Sequence, residues 1–347
     1  MKIDIYSHIQ PRKYLDALLG LVETHHKHLM TRFRVIDSTR SLWDMDARFR
    51  IMDNYEGLVQ VLVPTGPPAE LLAKPEDVVG LVKLYNDEIA GLVGKYPDRF
   101  IGGVACLPMN DVDAALEEAR RAVTELGFKG VLVDSPVYEY SADKTKPIDL
   151  PEYMPLYEMM SKYDLPIWIH PRREASMPDY TTEKASKYFI NHCFGWPYET
   201  TVAMARLVFS GILEAYPTLK LITHHAGAMV PFFSDRIVRL YGYQASHGQN
   251  AFMEKLKKPP IDYFKSFYND TALYGSPAGL MCAYDFFGAD RLLFGTDMPY
   301  DAEQGDEFIR ETIRAVGEMQ ITDGERNKIY KENAARLLHL SENRFQL

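Results

Sequence analysis

Eight short apolar runs recur along the 347-residue chain, and segments of helical period follow them. Apolar runs bounded by Pro, Gly or Asp predict strands, and their alternation with helices predicts repeated βα units around a parallel sheet. The predicted strands are Lys2–Tyr6, Leu58–Val63, Ile101–Leu107, Gly130–Asp134, Pro166–His170, Leu221–His224, Phe267–Thr271 and Leu292–Gly295. Eight such units favour a closed α/β fold, the (β/α)₈ TIM barrel, over an open sheet.

The predicted helices have recognisable ends. Asn110 is expected to cap the helix Asp111–Leu126, and Gly127 lies just past its end. The other predicted helices are Pro151–Lys162, Tyr198–Tyr216, Ala302–Gly317 and Asp323–Leu340. The chain contains no linker rich in Gly, Ser or Pro and no sequence repeat of fixed period, so residues 1–347 are predicted to form a single domain.

Two stretches fit no βα unit. Ile9–Thr39 follows the first predicted strand, and Arg172–Phe194 follows the fifth. In a barrel, insertions after strands lie on the catalytic face, where long irregular loops form lids or pocket walls. We therefore expect both insertions to border an active site.

Composition narrows the choice of partners. A net charge of −9 and a pI near 5.6 argue against a nucleic-acid surface, which needs clustered Lys and Arg, and favour a small-molecule substrate. No apolar run approaches the roughly 20 residues that span a bilayer, and Met1–Asp4 does not begin a signal-peptide pattern. We expect a cytoplasmic protein with no membrane partner.

Histidine and aspartate recur at the carboxyl ends of the predicted strands. His8 follows strand one, His170 ends strand five, His224 and His225 end strand six, and Asp297 follows strand eight. Each alone has a plainer explanation, as a buried hydrogen-bonded histidine or a capping aspartate, but their joint occurrence predicts one active site. Imidazoles with one carboxylate suit Zn²⁺ or Mn²⁺ and leave a position open for substrate. In a regular strand, the side chains of His224 and His225 would point to opposite faces, and His224 would support the site without joining it.

Several segments together carry a resemblance to a known family. They are KIDIYSH (Lys2–His8), LWD (Leu42–Asp44) with Arg48, PIWIHP (Pro166–Pro171), LVFSG (Leu207–Gly211), ITHHAG (Ile222–Gly227) and LFGTDMP (Leu293–Pro299). On these segments the chain resembles the amidohydrolase superfamily. Within it, the chain is most similar to the branch of decarboxylases and hydrolases that includes aminocarboxymuconate-semialdehyde and γ-resorcylate decarboxylases.

The resemblance implies a (β/α)₈ barrel with a single divalent metal ion and no organic cofactor. It places the metal on His8, His170 and Asp297, with Zn or Mn expected. It also implies that His225 and Asp297 are catalytic and that Arg48 binds a substrate carboxylate. The residues themselves add Trp168, in strand five, and Arg172, just past its end, as candidates for substrate binding near the pocket rim.

One position departs from the family pattern. After strand one the family has His-x-His or Glu-x-His, whereas this chain has Tyr6-Ser7-His8. Residues two apart on a strand face the same way, so Tyr6 is expected beside His8 at the metal. Three interpretations stay open: a phenolate ligand, a hydrogen-bond donor beside a metal held by three residues, and a site that has lost its metal.

The leading functional hypothesis is metal-dependent nonoxidative decarboxylation of a small aromatic or unsaturated carboxylic acid. One alternative is metal-dependent hydrolysis of an amide, lactone or carbon–carbon bond by a metal-activated water. The other is a metal-free barrel that only binds a ligand. Apolar helix faces and the tail Ser341–Leu347 are compatible with a homodimer.

Overall fold

The structure is a computed structural model, and it describes residues 1–141 and 144–340. The tail Ser341–Leu347, named above for a homodimer, lies outside the described residues. The strands are β1 (Lys2–Ile9), β2 (Leu58–Pro64), β3 (Phe100–Gly103), β4 (Val131–Ser135), β5 (Val137–Tyr138), β6 (Thr145–Lys146), β7 (Ile167–Pro171), β8 (Leu221–Thr223) and β9 (Tyr268–Asn269). Parallel pairing gives the orders β1-β2-β3 and β4-β7-β8-β9, while β5 and β6 form a small antiparallel hairpin.

Two seams join these parallel sheets into a closed barrel. At one seam, Ala105 pairs with Val131 of β4 in a parallel bridge. At the other, the extended segment Leu292–Asp297 bonds to Asn269 of β9 on one side and to Tyr6 of β1 on the other. The predicted TIM barrel is therefore confirmed, with the eighth predicted strand present as this closing segment.

Apolar side chains from alternate positions fill the barrel interior. Val61, Leu132, Trp168, Ile222 and Leu293 come from five different strands or strand segments and belong to one buried cluster. Inward side chains of a small barrel pack in layers, which makes its centre a core rather than a pore. Reactive groups are therefore confined to the carboxyl ends of the strands.

Helices surround the barrel and fill the first insertion. They are α1 (Arg12–His25), α2 (Met30–Ser38), α3 (Met45–Met52), α4 (Ala69–Leu72), α5 (Pro75–Lys95), α6 (Val112–Thr124), α7 (Met154–Tyr163), α8 (Ile190–Cys193), α9 (Gly195–Phe209), α10 (Ile212–Ala215), α11 (Ser234–Ser246), α12 (Pro260–Phe264), α13 (Pro277–Phe287), α14 (Asp306–Glu318), α15 (Asp323–Asn327) and α16 (Asn333–Leu337). None of the helices in the described ranges is long and apolar enough to cross a membrane.

The helix ends require three corrections. Asp111, rather than Asn110, caps α6, because its side chain accepts a hydrogen bond from Ala114 N at 3.1 Å. The predicted helix Tyr198–Tyr216 is divided between α9 and α10, because Gly211 has a left-handed φ of 84°. The predicted helix Asp323–Leu340 is interrupted by the π-helical turn Lys328–Glu332 between α15 and α16.

The first insertion is helical rather than irregular. α1 buries Tyr14, Leu15, Leu18 and Val22, whose spacing places them on one helix face. The short α2 follows it and reaches the catalytic face. Within the described chain, the insertion after β7 has no helix or strand until the short α8, which only Phe194 separates from α9.

Candidate metal and active site

A cavity of about 570 Å³ opens at the carboxyl ends of the barrel strands. Its lining includes His8 after the middle of β1, His170 on β7 and Asp297 at the end of the closing segment. The rest of the wall comes mainly from both insertions and from later loops, and includes Arg32, Arg172, Arg173, His192, Trp196, Tyr274 and Tyr300. The geometry is that of a barrel active site, with reactive groups supplied by several strand ends.

Two imidazoles converge on one carboxylate oxygen at the base of this cavity. Nε2 of His8 lies 3.0 Å from Oδ1 of Asp297, and Nε2 of His224 lies 3.2 Å from the same oxygen. All three side chains are almost completely buried. Burial opposes ionisation of Asp297, but His224 and His8 hold the pKa of this carboxyl well below its usual value.

Potential metal-ligating atoms form two overlapping groups. His8, His170 and His224 have ligand atoms within 4.8 Å of one another, and so do His224, His225 and Asp297. His224 is the residue that the two groups share. Imidazole nitrogens and one carboxylate are a donor set that Zn²⁺ and Mn²⁺ accept, so this cluster fits a divalent ion.

The outer nitrogens of two histidines are fixed by hydrogen bonds. Nδ1 of His8 donates to the carbonyl oxygen of Pro64 at 3.2 Å, because a carbonyl can only accept. Nδ1 of His224 bonds to the Asp270 carboxylate, whose Oδ1 also accepts from Ala226 N at 3.0 Å. In both residues Nε2 is thereby left to face the cluster, as in the carboxylate–histidine–metal arrangements of metalloenzymes.

The inner nitrogen of His224 faces the Asp297 carboxylate. Its buried Nε2 lies 3.2 Å from Oδ1 of Asp297, in an ion-pair contact that is not a well-formed hydrogen bond. Burial alone would lower the pKa of His224, but the carboxylates of Asp270 and Asp297 raise it to about 9. A cation bound here would be coordinated by this buried nitrogen together with the neighbouring ligand atoms.

The side-chain phase on β8 differs from the prediction. Ile222 belongs to the barrel-interior cluster, so strand alternation turns His224 inward, not away from the site. His225 would then point outward, but its left-handed φ of 57° turns the chain back towards Asp297. The prediction that the His224 side chain points away from the site is therefore wrong. The alternation of inward and outward side chains along this strand was assigned one residue out of step.

His225 belongs to a short chain of hydrogen-bonding groups. The Tyr274 hydroxyl donates to Oδ2 of Asp297 at 2.6 Å, so its oxygen accepts from Nε2 of His225 at 3.3 Å. Burial and the neighbouring His224 lower the pKa of His225 to about 3, which leaves its imidazole neutral at physiological pH. The arrangement links His225 to Asp297 through Tyr274 and can carry a proton between them.

His170 is supported from the cavity wall. Its Nδ1 lies 3.4 Å from Oδ1 of Asp134, and the same oxygen accepts from Nε of Arg172 at 2.7 Å. Burial and the Arg172 charge lower the pKa of His170 well below its usual value, so the imidazole is neutral and has a lone pair to offer. Trp196 contacts the His170 ring edge-on, with centroids 5.3 Å apart.

Tyr6 lies beneath the cluster rather than at its centre. Its ring stacks on His224 with centroids 3.8 Å apart and an interplanar angle of 1°. Its hydroxyl points to the carbonyl oxygen of Ile169 at 3.5 Å, the outer limit of a hydrogen bond. Burial and the charge of Asp270 raise the pKa of Tyr6 well above its ordinary value, so the phenol is neutral without a metal.

Two predicted substrate-binding residues lie outside the cavity. Arg48 is fully buried beside the barrel, where its guanidinium donates to Gln60, to the backbone of His8 and Ser41, and to Ser7. These partners leave it no path to a ligand, so the expectation of a substrate contact is corrected.

Trp168 is likewise fully buried. It fills the barrel interior and donates from Nε1 to the carbonyl oxygen of Ile5 at 3.1 Å. Its position on the strand faces the core below the cavity, so it packs the barrel instead of lining the pocket. The prediction that Trp168 binds substrate is corrected for this reason.

Arg172 does lie in the cavity wall, with two other arginines. Its Nε is held by Asp134, and its terminal nitrogens have no hydrogen-bonding partner within the described part of the chain. Arg32 from α2 is paired with Glu174 at 2.7 Å, and Arg173 also lines the cavity. Arg173 is paired with Glu199 at 3.1 Å. Arg172, with donors left over beyond Asp134, is therefore the arginine of this wall best suited to an anionic ligand.

Sequence reasoning missed three residues of this site. Asp270 lies within the predicted strand Phe267–Thr271, so the search of strand ends could have found it. Tyr274 follows four residues later, in a loop with no motif. Arg32 lies in a stretch expected to be irregular, and only the helix α2 places it at the cavity.

Comparison with known proteins bears on this geometry. The profile of the family described as Amidohydrolase matches residues 24–340. The chain belongs to this family. It is 28% identical over 358 residues to 2-amino-3-carboxymuconate-6-semialdehyde decarboxylase of Dictyostelium discoideum, covering 99% of this chain and 93% of the relative. It is 30% identical over 304 residues to γ-resorcylate decarboxylase of Rhodococcus jostii (strain RHA1), covering 85% and 87%.

A solved decarboxylase structure has the same architecture. Dihydroxybenzoic acid decarboxylase from Polaromonas sp. JS666, solved with manganese and the inhibitor 2-nitroresorcinol, superposes with a TM-score of 0.79. The two chains are 27% identical, and the match covers 100% of this chain and 99% of the other. The likeness therefore extends over the whole barrel.

Proposed function

We propose that this amidohydrolase-family protein is a metal-dependent nonoxidative decarboxylase of a small aromatic or unsaturated carboxylic acid. The observation that carries the proposal is the cluster of imidazoles around Asp297 at the base of a cavity with arginines in its wall. A divalent ion and an anionic substrate would meet there. The decarboxylase names of the relatives from Dictyostelium and Rhodococcus support the same reaction class.

The proposed cofactor is one divalent metal ion, with manganese or zinc as the candidates. His8, His170 and Asp297 are the ligands proposed from the sequence, and their donor types suit both ions. The manganese in the Polaromonas enzyme supports the same choice. The ion would stabilise negative charge on a substrate oxygen while the carbon–carbon bond breaks.

The protein's own groups account for the rest of the reaction. The bond between the carboxylate and its carbon breaks, carbon dioxide leaves, and the electron pair left on carbon takes up a proton. At neutral pH Asp297 is ionised and His225 is neutral, so this proton would come from solvent and be relayed to the carbon by Asp297, Tyr274 and His225, which are hydrogen-bonded in series. Arg172 would orient the carboxylate with the donors that Asp134 leaves free.

The first test uses carbon dioxide release and the variant His225→Asn. The metal-loaded wild type is expected to release carbon dioxide from one of a panel of hydroxybenzoates and unsaturated acids. His225→Asn should lower kcat by about 10²–10⁴-fold, because it removes a group that moves a proton. Asn tolerates the left-handed backbone at position 225, so the fold, checked by circular dichroism, is expected to persist.

The control for this test is His247→Gln, which changes an exposed histidine beyond the end of α11. Full turnover in His225→Asn would contradict the proton route. Incorporation of labelled solvent oxygen into product without carbon dioxide release would instead assign a hydrolase and overturn the decarboxylase proposal.

Arg172→Lys tests how the substrate is oriented. Lysine keeps the charge that faces Asp134 but loses the planar fork that grips a carboxylate. We expect KM to rise by about 10–100-fold, the equivalent of one charged hydrogen bond, with a smaller change in kcat. The matched control is Arg34→Lys on the exposed face of α2. An unchanged KM in Arg172→Lys would remove Arg172 from the proposal.

The homodimer and the cytoplasmic location stay predictions. Exposed apolar side chains of α11, among them Val238, Leu240 and Tyr243, support an association between subunits, because this helix buries none of its residues within the described chain.

A further inference from the structure

We infer that His224 is a metal ligand and takes the place of the ligand that the family has two residues before His8. This inference rests on the proposed metal-dependent function and concerns only which side chains hold the ion. The position before His8 is occupied in this chain by Tyr6, which stacks on His224 instead of joining the cluster. The proposed set is then His8, His170, His224 and Asp297.

The geometry of the donors supports this set. Ligand atoms 2.0–2.1 Å from one ion lie about 2.9–3.4 Å apart in geometries from octahedral to tetrahedral, and a five-coordinate ion held by these four residues would keep one position for substrate. Nε2 of His8 and Nε2 of His224 lie 3.0 Å and 3.2 Å from Oδ1 of Asp297. His170 offers its ligand atom within 4.8 Å of both imidazoles. Small side-chain adjustments would bring these atoms to ligand distances.

The surroundings of His224 give independent support. Its Nδ1 is held by Asp270, a carboxylate that is itself fixed by Ala226 N and Ala272 N at 3.0 Å each. A carboxylate behind a histidine fixes the ring orientation and increases its strength as a ligand. Its Nε2, fully buried, forms no hydrogen bond within residues 1–141 and 144–340. A ligand role explains both the carboxylate support on one side and, on the other, a buried Nε2 that faces Asp297 without a hydrogen bond.

Tyr6 is assigned a positioning role. Its ring covers one face of His224, and the His225 ring covers the other at 3.8 Å. The imidazole packs parallel to the Tyr6 ring and at 27° to the His225 ring, and these contacts restrict its tilt away from Asp297. The Tyr6 hydroxyl points to the β7 backbone, so the ring, not the oxygen, performs this role.

A metal-free ion pair is the competing account of the same contacts. In that account His224 is an imidazolium between Asp270 and Asp297, and any bound ion would use other residues. The two accounts differ in what happens to metal affinity when His224 is replaced, whether or not a substrate is known.

The experiment measures metal affinity and the visible spectrum of Co²⁺. Wild type, His224→Gln and Tyr6→Phe are stripped with chelator and titrated with Zn²⁺, Mn²⁺ and Co²⁺, and His247→Gln is the matched control. We expect His224→Gln to weaken binding by at least about 100-fold, the upper end of what loss of a supporting partner alone causes. Tyr6→Phe should keep the wild-type affinity and Co²⁺ spectrum.

A rescue arm separates a ligand from a structural residue. In His224→Gly, free imidazole can enter the space left by the side chain and is expected to restore Co²⁺ binding and the wild-type spectrum. No rescue, or unchanged affinity in His224→Gln, would overturn the inference while leaving the metal-dependent function in place. Loss of affinity in Tyr6→Phe would assign a phenolate ligand instead. A wild type that binds no metal yet turns over substrate would overturn the proposed metal dependence itself.

Discussion

Asp297→Asn is expected to abolish both metal binding and turnover while leaving the barrel folded. Oδ1 of Asp297 lies within reach of His8 and His224, and Oδ2 accepts from Tyr274. Asparagine replaces one of these oxygens with an amide that donates hydrogen bonds and removes the negative charge that the imidazoles face. A neutral side chain of this kind is a poor ligand for a divalent ion and a poor proton acceptor.

The choice of asparagine follows from the backbone. Asp297 has a left-handed φ of 64°, which Asn and Asp tolerate better than most other residues. Replacement by alanine would add backbone strain to the loss of the carboxylate, and the two effects could not be separated. Asn keeps the size and the backbone preference, so the measured loss reports the carboxylate.

We expect kcat/KM to fall by at least about 10³-fold and metal content to fall well below one ion per chain. The measurements are steady-state turnover with saturating metal, elemental analysis and thermal unfolding. Asp285→Asn makes the same chemical change on an exposed face of α13 and should leave all three unchanged. If Asp297→Asn turned over substrate at the wild-type rate, Asp297 would be neither ligand nor proton carrier.

The sequence predicted the barrel because its strands are short, buried and periodic. Parallel strands covered on both faces must be almost continuously apolar, and runs such as Leu58–Val63 have no other simple explanation. Closing a barrel then brings every carboxyl end to one face. That rule alone places His8, His170 and Asp297 near one another, without any knowledge of the loops.

The direction of individual side chains was harder to predict than the strands that carry them. A shift of one residue in the assigned alternation exchanges the two faces for every side chain on a strand. The run Leu221–Thr223 is buried on both faces, so its composition does not show which side chains point into the barrel. The left-handed φ of His225 then adds a turn that the sequence does not reveal, because histidine is enriched at positive φ but still adopts it at only a minority of positions.

Arg48 shows a second limit of sequence reasoning. An arginine near a strand end can bind an anionic substrate or satisfy backbone carbonyls, and composition does not distinguish the two uses. The short helix α3 points Arg48 into the space beside β1 and β2, away from the cavity. Only the packing of that helix decides the role, and packing depends on contacts distant in sequence.

This structural role makes Arg48→Met the second variant with a large expected effect, in stability rather than in substrate binding. The guanidinium is fully buried and holds four partners: the Gln60 side chain, the carbonyl oxygens of His8 and Ser41, and the Ser7 hydroxyl. Burial lowers the pKa of Arg48 to about 9, although the negative charge of Asp4 opposes this change. The guanidinium therefore remains a cation at neutral pH. Methionine fills similar space but satisfies none of these partners.

We expect Arg48→Met to lower the free energy of unfolding by about 3–5 kcal/mol, because buried acceptors lose their donor and Asp4 loses a nearby positive charge. Arg50→Met, on the exposed side of the same helix, should change it by less than about 0.5 kcal/mol. Urea unfolding of both variants, with KM measured on the folded protein, gives the comparison. A substrate-binding arginine would produce the opposite pattern, with stability kept and KM raised. Since Arg48 holds the carbonyl of His8, any loss of activity in the folded variant should instead accompany weaker metal binding.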